Sequence, residues 1–217
     1  VVRARRDHEE AWGGGARTVV TLLRERGVAP ALVLDEGGAV VDSVIPGVTV
    51  PTAMVGVAER GVMTLSLTAR EAGGHASTPP RFPATARLAR AIDRLQRRPF
   101  PVRIAPPVRA LFATLAPHTS GPLRTVFGNL GVLGPVLARV LPRFGPEMNA
   151  MVRTTAVTTE LSGAGSENVL ATRARATVNI RLLTGDTVAS AVAHRRPAGA
   201  APHIAIETRP GSAPRPD

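Results

Sequence analysis

Residues 61–70 alternate between two kinds of side chain. Met63, Leu65, Leu67 and Ala69 are apolar, and Thr64, Ser66 and Thr68 between them are polar, the period of a strand with one buried face. The same period returns at 174–183. Ala174, Ala176, Val178, Ile180 and Leu182 share one face; Arg175, Thr177, Asn179 and Arg181 share the other. Residues 83–97 change to helical spacing, with Leu88, Ile92 and Leu95 on one side and Arg87, Arg90, Arg94 and Arg97 elsewhere. Thr- and Val-rich residues 152–161 predict another strand. Residues 186–195 predict a short helix with Asp186 as its cap, and 203–208 a last strand. The order β-α-β-β-α-β predicts a ferredoxin-like α+β domain.

Two regions stand outside that order. Near the start, Ala16, Val19, Val20 and Leu23 predict a helix over 13–26, stopped at Gly27. The all-apolar run 31–34 then predicts a strand buried on both faces, as in a parallel sheet. Asp35 follows it, at the strand end where open α/β sheets bind ligands. In the middle, Pro-rich residues 99–150 carry apolar helical stretches near 108–116 and 123–141, an expected helical insertion within the domain. Stretch 123–141, with Arg124, Arg139 and Arg143 nearby, suits either a membrane surface or its own domain. Gly and Pro break its apolar stripe and favour the second. The expected domains are 1–58, 59–209 with the insertion 99–150, and a disordered Pro-rich tail 210–217.

Charge changes the picture little. The net charge is +11, from 27 basic and 16 acidic residues, which raises nucleic acid as a partner. Every basic residue is Arg, scattered among abundant Ala, Gly and Pro, the mark of a GC-rich coding bias. Aromatic residues make up 3%, too few for base-stacking platforms, so no nucleic-acid partner is expected. Cys is absent, which excludes disulfides and thiolate metal sites and leaves the compartment open. No apolar run reaches the ~18 residues of a membrane span.

Candidate chemistry lies in short polar motifs. Adjacent Glu9 and Glu10 can divide labour in hydrolysis, one binding a metal and the other taking a proton from water. Asp35 offers a hard oxygen ligand. His75 lies in a loop between Gly74 and Pro79-Pro80, placed to donate a hydrogen bond to an oxyanion. Arg181 suits a bidentate clamp on a carboxylate. Each of these also has an ordinary surface role when taken alone.

Taken in order, Glu9-Glu10-Ala11-Trp12-Gly13-Gly14-Gly15-Ala16, Leu34-Asp35-Glu36-Gly37-Gly38 and Gly74-His75-Ala76-Ser77-Thr78-Pro79-Pro80 resemble the middle of the zinc aminoacylase/carboxypeptidase family, M20. Arg153-Thr154-Thr155, Glu167-Asn168-Val169 and Ala176-Thr177-Val178-Asn179-Ile180-Arg181 resemble later strands of that family's lid. The likeness runs from about residue 7 to 208 and leans to the carboxypeptidase S and N-acyl-amino-acid hydrolase branch. It implies an α/β fold: part of a zinc-peptidase catalytic domain, then a ferredoxin-like lid that forms a homodimer. It implies Glu9 as general base, Glu10 and Asp35 as ligands in a two-zinc site, and His75 reaching into the partner subunit's site. It implies Asn168 lining that site and Arg181 holding the substrate carboxylate. The implied substrate is a small peptide or N-acyl amino acid, cut at an amide beside a free carboxylate.

The family's early His-x-Asp, bridging Asp and late His have no counterpart, since no His-x-Asp occurs and His118, His194 and His203 lie in other contexts. The chain is therefore expected to be an internal fragment, inactive by itself. The other reading is a non-catalytic lid and dimerisation module from a truncated gene.

Overall fold

The computed structural model describes residues 15–31, 38–42, 45, 47–199 and 203–216. The chain divides into two compact units, residues 1–37 and 38–217. In the first, α1 (Gly15–Glu25) is the helix expected from the apolar spacing, and Gly27 follows it with φ +65°. The strand expected at 31–34 lies almost entirely outside the described residues.

The second unit begins with a two-stranded ladder of β1 (Ala39–Val41) and β2 (Thr52–Met54), then β3 (Ala58–Glu59), β4 (Gly61–Arg70) and β5 (Gly74–His75). Helix α2 (Ala84–Arg97) leads into four helices, α3 (Pro106–Leu115), α4 (Pro122–Gly128), α5 (Leu130–Val140) and α6 (Pro146–Val152). Then come β6 (Thr155–Ser162), β7 (Val169–Leu170), β8 (Arg173–Leu182), α7 (Val188–Gly199), β9 (Ile204–Ser212) and β10 (Arg215–Pro216).

The main sheet has the order β6-β8-β4-β9, with every neighbouring pair antiparallel. With α2 and α7 it makes the β-α-β-β-α-β arrangement expected from the sequence. Alternation decides the faces. Met63, Leu65, Leu67 and Ala69 pair across the ladder with Ile180, Val178, Ala176 and Ala174, and together they pack on Leu88, Leu95 and Ala191 of the helices. The other face holds Thr64, Ser66 and Thr68 against Asn179, Thr177 and Arg175. Ser66 and Thr68 are buried here, deeper than their alternation implies, because β4 is a central strand and its short side chains sit below longer neighbours. Arg195 on α7 is 4% exposed. It donates to the carbonyls of Leu95 and Arg98 at the end of α2 (2.6 and 2.7 Å) and lies over the Phe100 ring. Burial, and then the nearby charge of Arg98, push its pKa down to about 10.

The insertion has a core of its own. Phe112, Leu115, Phe127, Leu130, Leu137, Leu141, Met148 and Val152 cluster there, joined by Ile45 and Val48 from before the sheet. The stretch weighed as a surface-lying helix is thus a bent pair, α4 and the run from α5, meeting at 116° with its apolar side packed inward. No single helix among the described residues is long and apolar enough to cross a membrane.

At the neck of the insertion, Arg103 Nη1 donates to Asp186 Oδ1 at 2.7 Å and its Nη2 to the Thr184 carbonyl at 2.8 Å. Thr154 Oγ1 donates to Asp186 Oδ2, and the Leu183 amide donates back to Thr154 Oγ1 at 2.8 Å. Asp186 is therefore a clamp and not the cap of α7. Thr187 takes that place: the Ser190 amide donates to Thr187 Oγ1 and the Thr187 amide to Ser190 Oγ, each at 3.0 Å, a reciprocal capping box.

The tail also departs from expectation. β9 continues through Ser212, and β10 pairs antiparallel with β3, Arg215 opposite Glu59 and Pro216 opposite Ala58. Gly61 permits this close approach, since a Cβ there would stand 2.6 Å from Pro214 N and the Ser212 carbonyl. Proline is tolerated at such an edge because it gives up only an outward-facing N–H.

Candidate functional site

The turn out of β4 needs glycine. Gly73 has φ +78°, and a Cβ on it would lie 2.7 Å from Thr172 Cγ2. Gly74 follows with φ +141°. The chain thereby swings into β5, which pairs with β7: Gly74 opposite Leu170 and His75 opposite Val169. The Ala76 amide extends the ladder to the Asn168 carbonyl at 2.9 Å. His75 and Asn168, two residues far apart in the sequence, are thus set on one small antiparallel arm, and both are exposed.

The ring of His75 is tied down locally. The Ser77 amide donates to His75 Nδ1 at 3.2 Å, Ser77 Oγ lies 2.7 Å from the same nitrogen, and the Thr78 amide donates to the His75 carbonyl at 3.2 Å. At the base of this loop Arg87 Nε donates to the Phe82 carbonyl at 2.9 Å and lies 3.0 Å from Glu71 Oε2.

Arg181 sits at the opposite end of β8, exposed on the polar face. Its Nε donates to Asn179 Oδ1 at 3.2 Å. Its carbonyl accepts from Arg60 Nη2 at 2.7 Å, and that same nitrogen also reaches the Arg153 carbonyl at 3.0 Å. Burial lowers the pKa of Arg60, and the charge of Arg181 lowers it further. β8 alone places Arg181 about 26 Å from Arg173 at the ~3.3 Å rise per residue of a strand, and the His75 arm lies beyond Arg173. The structure therefore brings His75 and Asn168 together and keeps Arg181 apart from them.

Glu9, Glu10 and Asp35 lie outside the described residues. Among the described residues no group of three or more His, Asp or Glu side chains is placed to hold a metal ion. The sequence offers Glu10 and Asp35 as ligands, two carboxylates against the three or four protein ligands of zinc centres. This donor set does not make a zinc centre by itself.

Residues 57–194 match the peptidase dimerisation domain of the M20 family. The chain belongs to that family. M20 relatives agree. An N-fatty-acyl-amino acid synthase/hydrolase from Xenopus tropicalis is 39% identical over 184 residues, covering 83% of this chain and 36% of that protein. The human protein of the same description is 35% identical over 181 residues with the same coverage. A probable carboxypeptidase S-like protein from Dictyostelium discoideum is 33% identical over 191 residues, 86% of this chain and 36% of that protein. The chain thus spans about a third of the length of these curated M20 relatives. Human carnosine dipeptidase 1 shares the fold, with a TM-score of 0.55 at 14% identity over 95% of this chain and 46% of that one.

Ser77, in contact with the His75 ring, is the residue of this loop that sequence reasoning passed over. It stood within the quoted motif with no role of its own. A hydroxyl two residues after a histidine, in a turn closed by prolines, was the available signal.

Proposed function

We propose that the chain is the lid and dimerisation part of an M20 amide hydrolase, carrying within residues 1–58 a piece of the catalytic domain. The substrate is a small peptide or N-acyl amino acid, cut at the amide beside its free carboxylate. One observation carries this reading: within the region that matches the family, the backbone ladder of β5 and β7 brings His75 and Asn168 to neighbouring positions at one exposed end. His75 donates a hydrogen bond to the oxyanion that forms when water adds to the amide carbonyl, and Asn168 lines the same space. Arg181, its guanidinium plane set by Asn179, grips the substrate carboxylate. Glu9 takes the proton of the attacking water and returns it to the leaving amine. Glu10 and Asp35 would be carboxylate ligands in a two-zinc site that needs further ligands, and the metal there would polarise the amide carbonyl and acidify water.

The wide separation of His75 and Arg181 supports a homodimer, because no small substrate reaches both within one lid. β6 is an edge strand with Val157 and Leu161 exposed, a surface suited to pairing with a second copy. The chain alone is inactive in this reading.

The test is metal content and hydrolysis of an N-acyl amino acid and a Gly-terminal dipeptide, after zinc loading of the folded chain. The expected result is no bound zinc and no turnover. Bound zinc with turnover that vanishes in Glu9→Gln overturns the inactivity. Limited proteolysis tests the division into domains, with cuts before residue 59 expected first; equal resistance on both sides of it counts against the division.

A further inference from the structure

We propose that Ser77 is a positioning residue for His75, fixing which ring nitrogen carries the proton and where it points. This rests on the reading of His75 as an oxyanion donor. The geometry is specific. A backbone N–H can only donate, and the Ser77 amide points at His75 Nδ1 from 3.2 Å. A proton on Nδ1 would face that amide hydrogen, so Nδ1 is the acceptor and the ring carries its proton on Nε2. Ser77 Oγ, 2.7 Å from the same nitrogen, turns its hydroxyl hydrogen toward it and strengthens the preference.

The remaining contacts turn this into an orientation. The Thr78 amide holds the His75 carbonyl and the Ala76 amide holds the Asn168 carbonyl, so the backbone on both sides of the ring is fixed. The arrangement copies an Asx-turn, with an imidazole nitrogen in place of a carboxamide oxygen. Nδ1 faces inward to its own turn, and the Nε2–H is the atom left to meet a substrate. An oxyanion donor works only if its proton is aimed before the charge develops, and an exposed ring left to rotate would lose that preorganisation. Ser77 acts through His75 and touches no substrate itself.

The experiment is nitrogen NMR on the folded chain, with 15N-labelled histidine and backbone and with His75 assigned by its loss in His75→Ala. In the unaltered chain the Nδ1 signal is expected to be that of an unprotonated acceptor, with a coupling across the hydrogen bond from the Ser77 amide. Ser77→Ala keeps the backbone donor and removes only the hydroxyl, so it is expected to raise the share of the Nδ1–H tautomer about twofold, and Ser77→Thr to restore the original signal. A protonated Nδ1 in the unaltered chain, or no change in Ser77→Ala, overturns the proposal. This readout needs no turnover, so it stands apart from the functional reading. In an assembly of the family that does hydrolyse amides, His75→Ala is expected to lower kcat about 10²-fold and Ser77→Ala about tenfold, with KM little changed. Unaltered kcat in His75→Ala, alongside the expected NMR result, sinks the oxyanion role and leaves the positioning intact.

Discussion

The sheet unit and the helical insertion solve the same problem in different ways. In the sheet, β4 is paired with β8 on one side and β9 on the other, and Met63, Leu65, Leu67 and Ala69 each meet an apolar residue of β8 from a distant part of the sequence. In the insertion, four short helices follow one another, begun at Pro106, Pro122, Leu130 and Pro146, and no side-chain oxygen caps any of them. Proline serves as a helix starter there because the first N–H of a helix has no partner to lose. Helices of seven to eleven residues are too short to stand alone in water, so the Phe112 and Phe127 pair, with ring centroids 4.6 Å apart, and the apolar side chains around it hold them. Backbone pairing organises one region, and side-chain packing, joined by the backbone bridge of Val48 to Thr119, organises the other.

The sharpest way to break this comparison is Phe112→Ala. Phe112 is fully buried, and its truncation is expected to cost about 3–5 kcal/mol. Hydrogen exchange should then show the insertion unprotected while β4 and β8 keep their slow amides; equal loss in both would mean one cooperative core. Leu67→Ala, at the centre of the sheet, is expected to cost about 2–5 kcal/mol and to lower protection everywhere, measured by urea unfolding. Next comes the neck. Asp186→Asn weakens the grip on Arg103 and Thr154 and is expected to cost about 1–3 kcal/mol. A double-mutant cycle with Phe112→Ala sharpens the contrast: additive losses mean that the neck does not couple the two cores. The smallest effect is expected at Val132, 81% exposed on α5, where Val132→Thr should change stability by less than about 0.5 kcal/mol.

The sheet was legible because its period is strict. Met63 to Ala69 and Ala174 to Leu182 name their own faces, and the helix through Leu88 and Leu95 supplies its cover. The insertion was legible as helical, but the break at Asn129 was not, because apolar residues run on through it. The arm of β5 and β7 has only two residues on each strand, too few for any period to show. Asp186 read as a cap because acidic residues before helices usually are; its pull toward Arg103 is a contact across 83 residues. The tail read as disordered from its prolines, whereas the close approach that orders it depends on Gly61, far away in sequence. Of the candidate site, His75, Asn168 and Arg181 were singled out by motif, and the distance of Arg181 from the other two was not legible.

The pairing of β3 with β10 has a mechanical meaning. It lays residues 58–59 and 215–216 beside each other, so the segment that leads into β4 and the segment that follows β9 are tied together. The tie is two residue pairs long, and it closes the sheet unit at one corner as a clasp closes a loop of cord.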